Sequence, residues 1–173
     1  IVSVVHNGII ENSKILKHEL EKKGKIFKSQ TDTEVITLLL TDELKIKTPL
    51  NAVHDTLIKL EGSFALGIIF KEYDDMIIGA RRGSPLAVGY SKDENYIGSD
   101  SYALKSMTNK ISYLDDGDIC VLTKDKVEFY DKSKNKINKK VLTLSDDKNI
   151  ADKGDYKNFM IKEIFEQQKK KKN

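Results

Sequence analysis

Two short stretches of the sequence hold residue types that could do chemistry together. In Val4-Val5-His6-Asn7-Gly8-Ile9-Ile10-Glu11-Asn12, an apolar β-branched run delivers Asn7 and Gly8 just ahead of a helical pattern. A turn there can aim the Asn7 side-chain amide and the Gly8 backbone N–H at one point, which is what stabilising an oxyanion requires. An Asn-Gly pair is also the ordinary chemistry of a tight turn. In Ser29-Gln30-Thr31-Asp32-Thr33-Glu34, the Asp32 carboxylate stands at a helix entrance. There it can accept backbone N–H groups and suits the helix dipole, so taken alone it reads as a cap.

Other chemistries find little support. The chain has no phosphate-cradling glycine loop ending in Lys-Ser or Lys-Thr, no His-Glu-x-x-His and no Gly-x-Ser-x-Gly. His6, His18 and His54 are scattered, with His18 and His54 expected on helix surfaces, so neither metal nor cofactor is expected. Cys120 lies in the alternating run Asp118-Ile119-Cys120-Val121-Leu122-Thr123, without a neighbouring His or Lys to stabilise a thiolate, and reads as a core residue. Arg81-Arg82-Gly83-Ser84-Pro85 is turn chemistry between two strands.

The elements that must position Asn7, Gly8 and Asp32 follow from pattern. Ser13 caps a helix with Ile15, Leu16 and Leu20 on one face and Gly24 as its stop. After a short extended stretch at Ile26 to Ser29, Thr31 and Glu34 have capping-box spacing ahead of Val35, Ile36, Leu38, Leu39, Leu40 and Leu44, a largely buried helix. Thr48 and Pro49 open a third helix, whose stripe is Leu50, Val53, Leu57 and Leu60. Short β-rich runs then follow at 63–70, 76–80, 86–90, 96–99, 111–114, 119–123 and 127–130, with a helical turn at 101–107. Connections at 71–75, 91–95 and 124–126 predict an antiparallel meander, and 131–140 a polar loop or long hairpin. A helix is predicted within 150–168, carrying Phe159, Met160, Ile164 and Phe165, followed by a disordered lysine tail at 169–173. Helices followed by a long antiparallel section indicate an α+β fold with helices covering one sheet face.

Composition narrows the partners. The chain has 173 residues, 30 Lys and Arg against 27 Asp and Glu, and 39% hydrophobic residues, enough for one domain core. The charges are interleaved and the net is +3, which does not point to nucleic acid. No apolar run approaches the roughly 20 residues of a membrane span. A single cysteine excludes an internal disulfide and fits a reducing compartment, so the expected location is cytoplasmic.

Considered together, the stretches closely resemble the glutaminase domain of glutamine:fructose-6-phosphate aminotransferases, over nearly the whole chain. The segments that carry the resemblance are His6 to Asn12, Thr31 to Ile36, Gly62 to Gly67, Ala80 to Leu86, Ser99-Asp100 with Ala103-Leu104, Tyr113-Leu114 with Gly117 to Ile119, and Met160 to Gln167. The Asn-Gly pair alone would admit other class II amidotransferases, and the ordered set favours the hexosamine family.

The resemblance implies an N-terminal-nucleophile hydrolase-like αββα sandwich of antiparallel sheets, incomplete at its N-terminus. It divides the chain into a partial class II glutamine amidotransferase domain over 1–158 and a domain-exit helix with lysine-rich tail over 159–173. In such domains a cysteine at the mature N-terminus hydrolyses glutamine, and the ammonia aminates fructose 6-phosphate in a separate isomerase domain, the route to glucosamine 6-phosphate. By the match, Asn7 and Gly8 donate to the oxyanion, and Asp32 binds the α-amino group of glutamine. The chain departs from the family pattern: it opens on Ile1 rather than Cys, Cys120 does not align with the nucleophile, and upstream motifs and the isomerase domain are absent. The expectation is a fragment inactive by itself, read alternatively as a non-catalytic remnant that binds glutamine or a partner. Self-association, or complementation by an upstream piece through an exposed strand edge at Val2 to Val5, would fit either reading.

Overall fold

The computed structural model describes residues 2–144, and the expected domain boundary at 158/159, the helix within 150–168 and the lysine tail lie outside them. Ten strands and four helices follow in chain order: β1 (Val2–Ile10), α1 (Ser13–Lys22), α2 (Asp32–Glu43), α3 (Pro49–Lys59), β2 (Gly62–Phe70), β3 (Tyr73–Arg82), β4 (Ala87–Tyr90), β5 (Asn95–Gly98), α4 (Ser101–Leu104), β6 (Lys110–Tyr113), β7 (Ile119–Leu122), β8 (Val127–Tyr130), β9 (Lys136–Ile137) and β10 (Leu142–Thr143). Every pairing is antiparallel, but the strands do not form one meander. The first sheet has the order β1-β2-β3-β7-β8-β9 and the second β10-β6-β4-β5. After β3 the chain crosses to build the second sheet, then returns with β7, whose four residues are all buried.

Helices α1, α2 and α3 cover one face of the first sheet, where Leu20, Ile36, Leu40 and Val53 meet Ile10, Phe64, Leu66, Ile68 and Ile78. The other face packs on the second sheet through Ala65, Cys120, Leu122 and Phe129 against Leu86, Val88 and Leu114. A Cβ on Gly79 would lie 2.3 Å from Ile97 Cδ1 and 2.6 Å from Cys120 Sγ, so a larger residue there would force these side chains to shift where the sheets meet. On the outer side of the second sheet, the single turn α4 sets Leu104 against Ala87 and Ile111. The layers are thus helix, sheet, sheet and one short helical turn, in accord with the expected α+β sandwich.

Three local expectations are corrected. Ile15 does not join the α1 stripe but is 64% exposed, because it lies outside the arc on which Leu16 and Leu20 meet the sheet. Thr31 and Glu34 do not form a capping box, since Glu34 accepts the Lys28 and Ser29 N–H groups at 2.8 and 2.6 Å instead. Glu34 therefore ties the preceding loop to α2. His54 is buried rather than on a helix surface: its Nε2 lies 2.9 Å from the Lys132 carbonyl oxygen and its Nδ1 3.0 Å from Asp55 Oδ1.

Polar groups fasten the helix layer to the sheet. Asn12 donates to the Lys59 carbonyl at 2.8 Å and accepts the Glu61 N–H at 3.1 Å. Arg82 donates to the Leu57 and Leu60 carbonyls at the end of α3 and covers the Phe64 ring. Asp55 pairs with Lys47 at 2.9 Å and Lys134 at 3.1 Å, joining α3 to the β8–β9 connection. Hydrogen bonds from Lys47, then His54 and Lys134, hold its carboxyl well below the usual carboxylate range.

Because the folded-state value is depressed, this stabilisation is present above the unfolded carboxylate value near ~4 and is lost as pH falls through the folded one. Asp55→Asn should therefore lower stability by about 1 kcal/mol at pH 7, and by less at pH 3. Urea denaturation at the two pH values reads the difference.

Candidate functional site

The ladder between β1 and β2 runs from Val2↔Phe70 to Ile10↔Gly62 and decides where each β1 amide points. Just beyond it the Glu11 N–H donates to the Glu61 carbonyl at 2.9 Å, so odd-numbered N–H groups face β2. Even-numbered ones face the opposite edge, where β1 has no partner strand among the described residues. The Ile10 N–H on that edge donates to Asp32 Oδ2 at 2.9 Å. The two-residue period carries the Gly8 N–H to the same open edge.

Asn7 and Gly8 are not the turn expected from the sequence. They lie inside β1, opposite Ala65 and Phe64, and the strand continues to Ile10. Gly8 is the reason it can: at φ +136° it occupies backbone space open to glycine, and a Cβ there would fall 2.1 Å from the Ser63 carbonyl oxygen. Asn7 is exposed, and among the described residues its side-chain amide has no hydrogen-bond partner. It borders a cleft of about 460 Å³ between the sheets, lined mainly by apolar groups such as Val5, Ile69, Ile77, Leu86 and Ile97.

Asp32 is likewise more than a cap. It is the first residue of α2, and its carboxylate reaches across to β1 rather than to its own helix. Its Oδ1 lies 3.6 Å from His6 Nδ1, and its side chain retains 27% exposure. His6 and Ile10, which touch Asp32, bracket Asn7 and Gly8, so Asp32 is held beside the same stretch of β1, while the Asn7 side chain leaves that strand on the opposite face, at the cleft. The loop before Asp32 is strongly ordered by polar contacts: the Ser29 hydroxyl first, then the Lys28 N–H, holds the Glu34 carboxyl below its ordinary value.

His6 had no role in the sequence reading. The signal was its place next to Asn7, since strand alternation turns it to the helix-facing side. Cys120 is the core residue expected, fully buried on β7, with burial pushing its thiol up to about 12. Three strand spacings separate β7 from β1, about 14 Å. The edge of β1 can thus offer an amide and a backbone N–H to a carbonyl oxygen and a carboxylate to a cation, while the only thiol of the sequence lies elsewhere and protonated.

Residues 1–106 match the family model described as "Glutamine amidotransferase domain". Curated relatives include glutamine–fructose-6-phosphate aminotransferases (isomerizing) of Zymomonas mobilis subsp. mobilis, 50% identical over 167 residues, and Bradyrhizobium diazoefficiens, 46% identical over 167 residues. Each alignment covers 96% of this chain and 28% of the relative, so the chain spans little more than a quarter of those proteins. Among solved structures, the glutamine phosphoribosylpyrophosphate amidotransferase from B. subtilis, complexed with ADP and GMP, superposes with a TM-score of 0.64 at 26% identity, over 78% of this chain and 30% of that one. A structure titled as the allosteric regulatory enzyme of purine biosynthesis gives the same TM-score and identity. The αββα sandwich expected from the sequence is therefore the fold of an amidotransferase domain.

Gly8→Ala should destabilise the chain by about 2 kcal/mol or more, because both φ and the Ser63 carbonyl oppose a side chain. Chemical denaturation measures the loss, and faster amide exchange at Asn7 and Ile9 would locate it in the β1–β2 ladder.

Proposed function

The chain belongs to the glutamine amidotransferase domain family, and from that premise we propose that it is the substrate-holding part of a glutamine-hydrolysing domain. In this reading Asn7 donates its side-chain amide and Gly8 its backbone N–H to the tetrahedral oxyanion formed from the glutamine side-chain amide. Asp32 takes the α-ammonium group, a charge-assisted contact that separates glutamine from simple amides. The observation that carries the reading is that Asp32 is fastened to the stretch of β1 that holds Asn7-Gly8: Ile10 and His6, on either side of the pair, both contact it.

The strong likeness to glutamine–fructose-6-phosphate aminotransferases supports ammonia delivery to fructose 6-phosphate, held by a separate isomerase domain, in glucosamine 6-phosphate synthesis. Residues 1–158 would then form part of the glutaminase domain, and 159–173 its exit helix and tail. A cytoplasmic setting fits that pathway, and among the described residues no helix is long and apolar enough to cross a membrane.

Amide hydrolysis by this family's route needs a nucleophile, and Cys120 does not provide one: it is buried, protonated and about three strands away. In this reading Cys120 is therefore not the nucleophile, and the chain alone does not turn glutamine over. A second reading, a fragment that binds glutamine or a partner without turnover, is favoured by Val5, Ile9 and Ile69, which stand 76%, 67% and 53% exposed on and beside the open strand.

The test is thermal stabilisation of the 173-residue chain by L-glutamine, beside glutaramate, which lacks the α-amino group. L-glutamine should raise Tm, glutaramate should not, and Asp32→Ala should abolish the shift; a shift that survives Asp32→Ala overturns the ammonium role. Ammonia release by the chain alone should not exceed the uncatalysed rate; release that persists in Cys120→Ala would overturn that expectation, and release lost in Cys120→Ala would make Cys120 the nucleophile. In a longer protein that supplies the nucleophile, Asn7→Ala should lower kcat for ammonia release by about 10²–10³.

A further inference from the structure

His6 is the one titratable group at the β1 edge to which the reading above gives no task. Its ring is 3% exposed, on the side of β1 that faces α2. Nδ1 lies 3.2 Å from Thr33 Oγ1 and 3.6 Å from Asp32 Oδ1. Nε2 is buried without a hydrogen-bond partner among the described residues. A proton on Nε2 would be a buried donor with no acceptor, whereas a proton on Nδ1 meets a hydroxyl oxygen and a carboxylate oxygen. Of the two neutral tautomers, the one with its proton on Nδ1 matches these contacts. Its hydrogen bond is to Thr33, and at 3.6 Å its interaction with Asp32 is electrostatic.

Asp32 is in this way held at two points of one strand. The Ile10 N–H takes Oδ2, and the imidazole edge faces Oδ1 while fastening the first turn of α2 through Thr33. We infer that His6 is a positioning residue for Asp32: it locks the start of α2 onto β1 so that the carboxylate is presented to the ammonium group of an α-amino acid. The ligand part of this inference rests on the ammonium role given to Asp32, whereas the coupling of His6 to Asp32 does not.

The two parts are read separately in the 173-residue chain. Long-range proton–nitrogen NMR should show His6 as the Nδ1–H form. His6→Phe and His6→Gln should speed exchange of the Ile10 amide roughly fivefold or more, because the carboxylate that holds it is released. The Asn7 and Ile9 amides, held by β2, should be unchanged. His6→Asn, whose amide nitrogen can take the place of Nδ1, should restore protection. Thr33→Val should resemble His6→Phe, and the double variant should be no worse than either, since both remove one contact. L-glutamine Kd should rise in His6→Phe by about the factor seen in exchange, and His6→Asn should recover it.

An Nε2–H ring overturns the inference, as does Ile10 exchange indifferent to His6→Phe and Thr33→Val. Should His6→Phe fail to fold, the Asn, Gln and Thr33→Val variants carry the same comparison. If exchange follows the expected pattern while L-glutamine binding ignores both Asp32→Ala and His6→Phe, the ammonium role fails and the His6–Asp32 coupling stands.

Discussion

Antiparallel hydrogen bonding between β1 and β2 runs through nine residue pairs, and that single register sorts everything β1 carries. Even positions send Val2, Val4, His6 and Ile10 toward the helices, and odd positions send Ser3, Val5, Asn7 and Ile9 toward the second sheet and solvent. The same period sends alternate N–H groups to β2 and to the open edge. A slip of one residue would bury Asn7 under α2 and turn His6 outward, so the site and the core are specified together. Gly8 is the concession that makes the register possible, since the close passage of β1 over Ser63 leaves no room for a side chain.

Division of labour between the two faces follows. The helix-facing side is closed and polar only where α2 begins: there Asp32, Thr33 and His6 satisfy one another and the Ile10 N–H. The side facing the second sheet is apolar and partly unfilled, and the unpartnered Asn7 amide stands at its margin. The candidate groups Asn7 and Gly8 thus sit on a strand paired along its length with β2, while the helix contributes one charged side chain through its first turn. Such support from regular elements suits a site that must place a carbonyl and an ammonium group at fixed separation.

Much of this was legible in residue order. The stripes of α2 and α3, the β-rich runs and the core character of Cys120 follow from local periodicity, which survives in a structure whose layers meet mainly through apolar side chains. What periodicity could not show was how strands are distributed between sheets: the runs at 86–90 and 119–122 look alike, yet one belongs to the second sheet and the other returns to the first. The Asn7-Gly8 pair misled for a related reason, since turn propensity is local and the pairing with Ala65 and Phe64 is not. His6 and His54 were invisible because their partners lie 27 and 78 residues away. Thr31 and Glu34 had the right spacing for a cap, but loop amides at Lys28 and Ser29 competed successfully for the carboxylate.

The packing of Cys120 against Gly79 reaches beyond shape. The only sulfur atom of the sequence outside methionine is sealed at the plane where two sheets meet. Its reactivity is governed by how often those sheets part, and not by the redox tone of its surroundings. The chain therefore carries an internal clock: the rate at which a thiol reagent labels it counts the openings of the sandwich, one molecule at a time.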